Sequence, residues 1–281
     1  MVKPPWLKTR PPAGEKFQAL NKALHEYNLN TVCTGSRCPN TGDCWSRGAA
    51  AFMIMGDICT RNCRFCAVEK GKPLPLDSSE PQRLAEAVAK LDLRYVALTS
   101  VDRDDLQDGG AGYFAECIKA VKSINDGIIV EALIPDFEGN EECLGKIIGA
   151  APDIIGHNVE VVREFQTLAR DRRAGYGLSL GVLRKLKEMS FSTYIKSSLM
   201  LGLGETEEMV INTLNELRHA GVELLTLGQY LRPSMRHLEV KEYISPQRFA
   251  YFKEKAEDVG FLSVVSTPLA RSSYMAKIKM V

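Results

Sequence analysis

Three cysteines at a short, regular spacing are the clearest chemical feature of the chain. Cys59, Cys63 and Cys66 form a C-x3-C-x2-C set directly after a predicted strand. A structural zinc ion or an electron-transfer cluster usually takes four protein ligands, whereas three thiolates on a four-iron cubane leave one iron with an open position. The spacing therefore indicates a cluster that can bind a cofactor or substrate. A zinc knuckle with a fourth ligand nearby is the open alternative.

A second triplet, Cys33, Cys38 and Cys44, precedes the same strand, and six of the eight cysteines lie between Cys33 and Cys66. Disulfide frameworks concentrate in small secreted domains. Clustered cysteines in a 281-residue chain without an export signal therefore favour metal binding. The predicted strand between the triplets favours two independent clusters, with a single zinc-rich module as the alternative.

The first triplet resembles the radical S-adenosylmethionine (radical SAM) superfamily, whose C-x3-C-x2-C loop holds a 4Fe-4S cluster. The resemblance implies that Cys59, Cys63 and Cys66 bind this cluster, and that the open iron takes the methionine amine and carboxylate of SAM. In the superfamily the residue before the last cysteine is usually aromatic and lies near the adenine. That role falls on Phe65.

Longer stretches are similar to one family of this superfamily, the lipoyl synthases, and the resemblance extends over most of the chain. The stretches that carry it are Cys33-x4-Cys38-Pro39-Asn40-x3-Cys44-Trp45, Met55–Cys66 and Arg271-Ser272-Ser273-Tyr274, supported by Leu98–Leu106, His157–Glu160 and Gly202–Thr206.

In that family the second triplet holds an auxiliary 4Fe-4S cluster, and a serine of the Arg-Ser-Ser-Tyr motif binds its fourth iron. Alignment of the motif gives this role to Ser273, and a slip of one residue leaves Ser272 open. A hard oxygen ligand on an iron otherwise surrounded by sulfide suits a cluster that is meant to be dismantled. Arg271 is expected to position the tail or neutralise the cluster, with an ordinary surface charge as the alternative.

The resemblance implies a sulfurtransferase that inserts sulfur at carbons six and eight of an octanoyl chain, held on a lysine of a carrier protein. No side-chain acid or base removes hydrogen from such carbons, so the radical has to come from a cofactor. Reductive cleavage of SAM would supply a 5′-deoxyadenosyl radical, and the auxiliary cluster would be consumed as the sulfur source.

The implied partners are octanoylated lipoyl domains or the glycine-cleavage H protein, a flavodoxin or ferredoxin reductant, and a carrier that rebuilds the cluster. Two other functions stay open. One is a biotin-synthase-like sulfur-inserting radical enzyme, and the other is a non-catalytic electron-transfer or zinc-binding protein with complete four-ligand sites.

Alternating strands and helices provide the scaffold for these residues. Helices with one apolar face separate the strands, for example after Ser79, where a capping-box pattern leads into Leu84, Ala87 and Val88. A similar helix follows Thr206. Repeated β-then-α units predict parallel strands. The predicted strands are Phe52–Ile58, Tyr95–Thr99, Ile128–Leu133, Asp153–Asn158, Tyr194–Leu201 and Leu224–Gln229.

We predict an α/β fold, a partial (β/α)6 TIM-like barrel of the radical SAM type with N- and C-terminal extensions over the barrel mouth. Reactive residues of α/β barrels lie at the carboxyl ends of strands and in the loops that follow. Polar residues at these positions are therefore candidate SAM contacts, although solvated loops are an equal alternative for any one cluster. The candidates are Thr99, Ser100, Asn158, Gly202, Gly204 and Glu205.

The remaining features set bounds on organisation and location. We expect one structural domain with three zones: residues 1–50 with the second triplet, 51–230 with the barrel, and 231–281 with the serine motif. No apolar run approaches the roughly 18 residues of a membrane span. No targeting signal is visible, so we expect a cytoplasmic protein. A net charge of +1 gives no basic footprint for nucleic acid.

Two cysteines and one histidine outside the motifs need a separate interpretation. Cys117 and Cys143 belong to apolar helical stripes, so we expect small core residues rather than metal ligands. His157 lies at a predicted strand end. It is the one histidine to test for a substrate or cofactor contact.

Overall fold

The computed structural model describes residues 2–9, 14–47 and 49–273, and all structural statements concern these residues. Residues 274–281, including Tyr274 of the serine motif, lie outside them. The chain forms two compact units. The first unit comprises Thr9–Asn62 and Ala67–Ile155, and the second comprises the chain up to Lys8, Cys63–Cys66 and the chain from Gly156 onward. The three predicted zones follow other boundaries and stay a prediction.

The first unit holds helices α1 to α6 and strands β1 to β6. Strands β2, β5 and β6 pair in parallel, β1 pairs antiparallel with β2, and β3 with β4 forms a separate parallel ladder. The helices are α1 (Glu15–Glu26), α2 (Val32–Gly35), α3 (Thr41–Ser46), α4 (Glu80–Lys90), α5 (Ala111–Ile124) and α6 (Glu141–Gly149). The strands are β1 (Asn30–Thr31), β2 (Ala51–Ile54), β3 (Ile58–Cys59), β4 (Glu69–Lys70), β5 (Tyr95–Ser100) and β6 (Ile129–Leu133).

Strand β2 is shorter than the predicted strand Phe52–Ile58. All of its residues are buried, and it ends where Met55 and Gly56 adopt positive φ angles of 66° and 91°. A left-handed residue cannot continue a strand, so the chain turns here. After the turn, β3 delivers Cys59 at the start of the cysteine loop.

Helix α4 buries the predicted face, with Leu84, Ala87 and Val88 inaccessible to solvent. The predicted capping box at its start is wrong. The Asp77 carboxylate accepts both the main-chain N–H of Ser79, at 2.9 Å, and its hydroxyl, at 2.7 Å, so this side chain makes no cap. A charged carboxylate is a strong hydrogen-bond acceptor, so Asp77 binds both donor groups of Ser79.

The second unit holds helices α7 to α10 and strands β8 to β10, and β7 crosses the boundary between the units. Strands β8, β9 and β10 pair in parallel. Helix α9 begins with a Thr206 hydroxyl that accepts the Met209 N–H at 3.3 Å. The elements are β7 (Ile154–Gly156), α7 (Gln166–Ala169), α8 (Tyr176–Met189), β8 (Tyr194–Leu201), α9 (Glu207–His219), β9 (Leu224–Gln229), α10 (Pro246–Val259) and β10 (Ser263–Ser266).

The strand predictions are confirmed as elements β2, β5, β6, β7, β8 and β9. Their parallel pairing is confirmed within each unit. Strands β1, β3, β4 and β10 were not predicted, because runs of two to four residues carry little periodic signal. No helix in the described part of the chain combines the length and apolarity needed to cross a membrane.

Candidate active site

The sulfur of Cys59 is surrounded by hydrogen-bond donors. The main-chain N–H groups of Arg61 and Asp102 both lie 3.4 Å from Sγ, and the thiol in turn lies 3.6 Å from Asp102 Oδ2. Burial raises the pKa of the Asp102 carboxyl, and Arg61 opposes this shift. Donors directed at sulfur stabilise negative charge on it, as in iron–sulfur proteins. The surroundings of Cys59 therefore fit a metal-bound thiolate.

Arg61 anchors the middle of the cysteine loop within the first unit. Its buried guanidinium donates to both oxygens of Asp136, at 2.5 and 2.8 Å, and to Asp104 Oδ1 at 2.8 Å. Asp102 Oδ1 lies 3.4 Å from Nε. Burial alone would lower the pKa of Arg61, but hydrogen bonds to Asp136 and Asp104 raise it above its ordinary value. The roles of Arg61 and Asp136 were not predicted, although an arginine inside a cysteine motif near an acidic run was a usable signal.

The second half of the cysteine loop, Cys63–Cys66, is held by main-chain groups of the second unit. The N–H of Asp171 donates to Cys63 Sγ at 3.3 Å, and the N–H of Arg64 donates to the Ala169 carbonyl at 2.7 Å. The Cys66 carbonyl accepts from His237 Nε2 at 3.0 Å. Because a carbonyl only accepts, this bond assigns the ring proton to Nε2. His237 was also missed, since nothing in its local sequence links it to Cys66.

Phe65 lies against an apolar cluster of the second unit. This side chain is half-buried and packs against the cluster, and an aromatic ring in such an apolar setting is suited to stacking on a base. The predicted adenine contact stays a prediction. The buried members of the cluster are Val161, Ala169, Leu203, Tyr230, Leu238 and Val240.

The second triplet is gathered within the first unit. Cys33 lies in α2, Cys44 lies in α3, and the N–H of Cys38 donates to the Cys33 carbonyl at 2.9 Å. Burial raises the pKa of the Cys44 thiol to about 12, and the neighbouring Cys33 and Cys38 add to this shift. The three thiols are thus close enough to interact electrostatically, which fits a shared cluster.

None of the eight cysteines, all of which lie in the described part of the chain, forms a disulfide. No three His, Cys, Asp or Glu side chains of residues 2–9, 14–47 and 49–273 stand at the spacing of ligands to one metal ion. Cys117 and Cys143 are buried, which confirms the prediction that both are core residues.

The candidate SAM contacts of the first unit lie at the carboxyl end of β5. Thr99 is buried within the strand and Ser100 is its last residue. The Ser100 hydroxyl oxygen is buried and has no hydrogen-bond partner among the described residues. Buried hydroxyls are nearly always hydrogen-bonded, so this unmet group fits a ligand contact.

In the second unit, Asn158 follows β7 and donates its side-chain amide to Glu160 Oε1 at 3.0 Å. Glu160 has a positive φ of 69° and pairs with Leu199 of β8 as an isolated bridge. Burial raises the pKa of the Glu160 carboxyl, against the influence of Arg170 and Asn158. His157 is bonded to the Ser179 hydroxyl at 2.9 Å, which is typical of a structural histidine.

The backbone conformation of the loop after β8 explains why the loop contains two glycines and a glutamate. Gly202 has a φ of 107°, and a Cβ there would lie 2.1 Å from Gln229 Nε2, so no other residue fits. A Cβ on Gly204 would make only ordinary van der Waals contacts, but the φ angle of this residue is 110°. Glu205 accepts the N–H groups of Gly202 and Leu203 at 2.5 and 3.0 Å. Its carboxylate therefore holds the loop, and direct cofactor contact by Glu205 stays a prediction.

The serine motif follows a tail that is fixed on β9. The Pro268 carbonyl accepts the Gln229 N–H at 3.2 Å, and a Cβ on Gly228 would lie 2.2 Å from the Ala270 carbonyl oxygen. Arg271 Nη1 donates to the Ala270 carbonyl at 2.5 Å. Ser272 and Ser273 follow in a turn and are half-buried.

Two family models match the chain. The radical SAM superfamily matches residues 53–217, and the N-terminal domain of lipoyl synthase matches residues 2–38. The chain is 51% identical over 279 residues to the lipoyl synthase of Natronomonas pharaonis, covering 98% of this chain and 90% of that protein. It is 50% identical to the lipoyl synthase of Deinococcus radiodurans, covering 98% and 83%. It is 49% identical to the mitochondrial lipoyl synthase of Danio rerio, covering 97% and 70%.

Solved structures show the same fold at low identity. The FeFe-hydrogenase maturase HydG from Carboxydothermus hydrogenoformans gives a TM-score of 0.63 at 13% identity, covering 88% of this chain and 63% of that one. Methylornithine synthase gives 0.58 at 12% identity, covering 90% and 72%. These neighbours and the parallel pairing confirm the predicted fold class, the partial TIM-like fold of radical SAM proteins.

The identities to curated relatives extend over almost the whole chain, and the superfamily model covers both cysteine-loop halves. Family membership implies SAM and 4Fe-4S clusters as cofactors and an octanoylated carrier protein as substrate. The chain therefore belongs to the lipoyl synthase family of the radical SAM superfamily.

Proposed function

We propose that this protein inserts two sulfur atoms, at C6 and C8 of a protein-bound octanoyl-lysine, and so forms the lipoyl group. The observation that carries the proposal is the gathering of Cys33, Cys38 and Cys44 within one unit. An enzyme that only cleaves SAM does not need a second set of thiols. A sulfur-inserting enzyme needs a sulfur donor, and a second cluster supplies sulfide.

We infer two 4Fe-4S clusters with separate ligand sets. Cys59, Cys63 and Cys66 would hold the cluster that binds SAM. Cys33, Cys38 and Cys44, with Ser273, would hold the auxiliary cluster, which is a substrate because its sulfide enters the product. The half-buried Ser273 in a turn supports this assignment, and the adjacent Ser272 is the alternative.

When bound, the first cluster and SAM supply a 5′-deoxyadenosyl radical that can take hydrogen from an unactivated carbon. The protein's own contribution is to hold the cofactors and to shield the radical. The N–H groups of Arg61 and Asp102 stabilise the Cys59 thiolate, and the N–H of Asp171 does the same for Cys63. Each donor belongs to a backbone segment that is itself hydrogen-bonded, so the donors need no reorganisation when charge arrives.

The SAM contacts that we propose are Phe65, Thr99, Ser100, Asn158, Gly202, Gly204 and Glu205. The unmet Ser100 hydroxyl supports a direct hydrogen bond. Gly202 and Gly204 provide the positive φ angles of the loop after β8, and Glu205 holds that conformation. Asn158 retains acceptor capacity on its side-chain oxygen after it donates to Glu160.

The chemistry also defines the partners. Cleavage of SAM requires one electron per event, and a flavodoxin or ferredoxin would deliver it. The carrier would be a lipoyl domain or the glycine-cleavage H protein, in the cytoplasm. Since each product removes two sulfides from the auxiliary cluster, repeated turnover requires a carrier that rebuilds the cluster.

The test is anaerobic iron and sulfide analysis of reconstituted protein, with mass spectrometry of an octanoylated lipoyl-domain peptide after addition of SAM and a reductant. We expect about eight irons per chain, since two cubanes hold four each, and a peptide that has gained two sulfurs. Cys143→Ala, which removes a core thiol, is the matched control and should match the parent protein. Four irons, or 5′-deoxyadenosine without sulfur in the peptide, would refute sulfur insertion and favour another radical SAM reaction.

A further inference from the structure

Trp45 adjoins the second triplet and is rigidly held. It follows Cys44 in α3, its side chain is only 3% exposed, and its ring stacks on Phe17 of α1 with centroids 5.1 Å apart. The planes of the two rings differ by 29°. The position of the indole, and so the direction of its N–H, is fixed by this packing.

The indole N–H is a buried donor without an acceptor. Trp45 Nε1 has no hydrogen-bond partner among the described residues. Burying a donor without an acceptor costs free energy, and native proteins almost always satisfy such groups. An indole N–H can only donate. Its missing partner is therefore an electron-rich group.

The sulfur of Cys33 is the group beside this donor. The Trp45 side chain is one of the groups that act on this thiol, so the indole lies within reach of the Cys33 sulfur. Nε1 makes no hydrogen bond to the thiol in this structure. A protonated thiol is a weak acceptor, whereas a thiolate bound to iron is a good one.

We propose that Trp45 Nε1 donates a hydrogen bond to the Cys33 sulfur when this sulfur is a ligand of the auxiliary cluster. The inference rests on the proposed function, because it requires a cluster at Cys33, Cys38 and Cys44. Trp45 then acts through Cys33, as a positioning residue that also tunes the electron affinity of the cluster. Hydrogen bonds to sulfur raise the reduction potential of an iron–sulfur cluster, because they stabilise the added negative charge.

The experiment starts from a full-length chain with Cys59→Ala, Cys63→Ala and Cys66→Ala, which retains only the second triplet. Trp45→Phe keeps the ring and removes the N–H. Trp6→Phe changes the exposed tryptophan, the other of the two in the chain, and is the matched control. All three proteins are reconstituted anaerobically, their iron is measured, and the cluster is titrated by electron paramagnetic resonance at controlled potential.

We expect about four irons per chain in the parent, as one cubane requires, and a lower midpoint potential in Trp45→Phe alone. At the potential where half of the parent cluster is reduced, the ratio of reduced to oxidised cluster in Trp45→Phe should fall roughly five- to tenfold, the equilibrium effect of one hydrogen bond. Equal midpoints in the parent and Trp45→Phe would overturn the inference and leave the proposed function intact. A parent chain without iron would overturn both.

A second measurement leaves Trp45 unchanged. In the Trp6→Phe background, tryptophan labelled with 15N in the indole puts the label at Trp45 alone. The reduced cluster should then show a 15N hyperfine coupling that is absent from unlabelled protein. Absence of the coupling in protein that carries the cluster would overturn the inference, even if Trp45→Phe fails to assemble a cluster.

Discussion

Around Cys59 and Cys63, main-chain N–H groups lie 3.3 to 3.4 Å from sulfur, whereas at Cys44 burial and neighbouring thiols raise the pKa to about 12. The first setting provides donors that can stabilise a metal-bound thiolate. The second makes an unbound thiolate costly, so metal has to displace the proton. The proposed retained cluster and the proposed consumed cluster would suit these two settings, since tight retention of ligands would oppose dismantling.

The largest expected contrast is between single losses from each triplet. Cys63→Ala should abolish formation of 5′-deoxyadenosine, because the SAM-binding cluster loses a ligand. Cys38→Ala should retain SAM cleavage but lose sulfur insertion. Chromatography of the nucleoside and mass spectrometry of the peptide measure the two activities in the same reaction. If Cys38→Ala still transferred sulfur, the second triplet would not be the sulfur source.

The serine motif gives the next contrast. Ser273→Ala should leave SAM cleavage partly intact and impair insertion of sulfur, because the proposed auxiliary cluster would lose its oxygen ligand. Ser272→Ala, one residue away in the same turn, is the control and should behave like the parent. Comparison of lipoyl yields per auxiliary cluster decides the assignment, and the reverse pattern would transfer the role to Ser272.

Substitutions of two arginines near the triplets should lower the stability of the protein by different amounts. Arg61 is buried against Asp136, and Arg61→Met removes the cation from a buried carboxylate, which typically costs roughly 3–5 kcal/mol. Arg47 forms an exposed pair with Asp43, and Arg47→Met should change the free energy of unfolding by less than about 1 kcal/mol. Urea denaturation of the metal-free proteins measures both. Equal losses would contradict the structural distinction.

The smallest effect is on pH dependence. The pKa of Cys44 rises from 9.0 to about 12 in the folded protein, so the unfolded chain loses this proton first. The folded state binds more protons between these values, and the free energy of unfolding of the metal-free protein should fall as pH rises through this window. Cys44→Ala should show a shallower fall. Urea denaturation of the parent and of Cys44→Ala at about pH 8 and about pH 10 measures this difference. An equal fall in the free energy of unfolding of the two proteins would argue against the raised pKa.

The cysteine spacing predicts two sets of metal ligands, which stays a prediction, whereas long β-branched runs were sufficient to predict the strands of both units. The predicted strand was longer than β2, because the residue type of Met55 does not indicate its positive φ angle. The partnership of Arg61 with Asp136 spans 75 residues, so no local pattern reports it. The role of Glu205 in its own loop could not be predicted, because its carboxylate accepts the N–H groups of Gly202 and Leu203 as a result of backbone geometry rather than residue type.

The gathering of Cys33, Cys38 and Cys44 also determines how the protein responds to oxygen. All three are half-buried free thiols with neighbours of the same kind. Once oxidation removes their iron, a sulfenic acid on one thiol can condense with the next to form a disulfide. The disulfide would then prevent the protein from binding new iron until a thiol reductant reduces it. Repair after oxidative stress would therefore proceed in two ordered steps, reduction first and cluster delivery second.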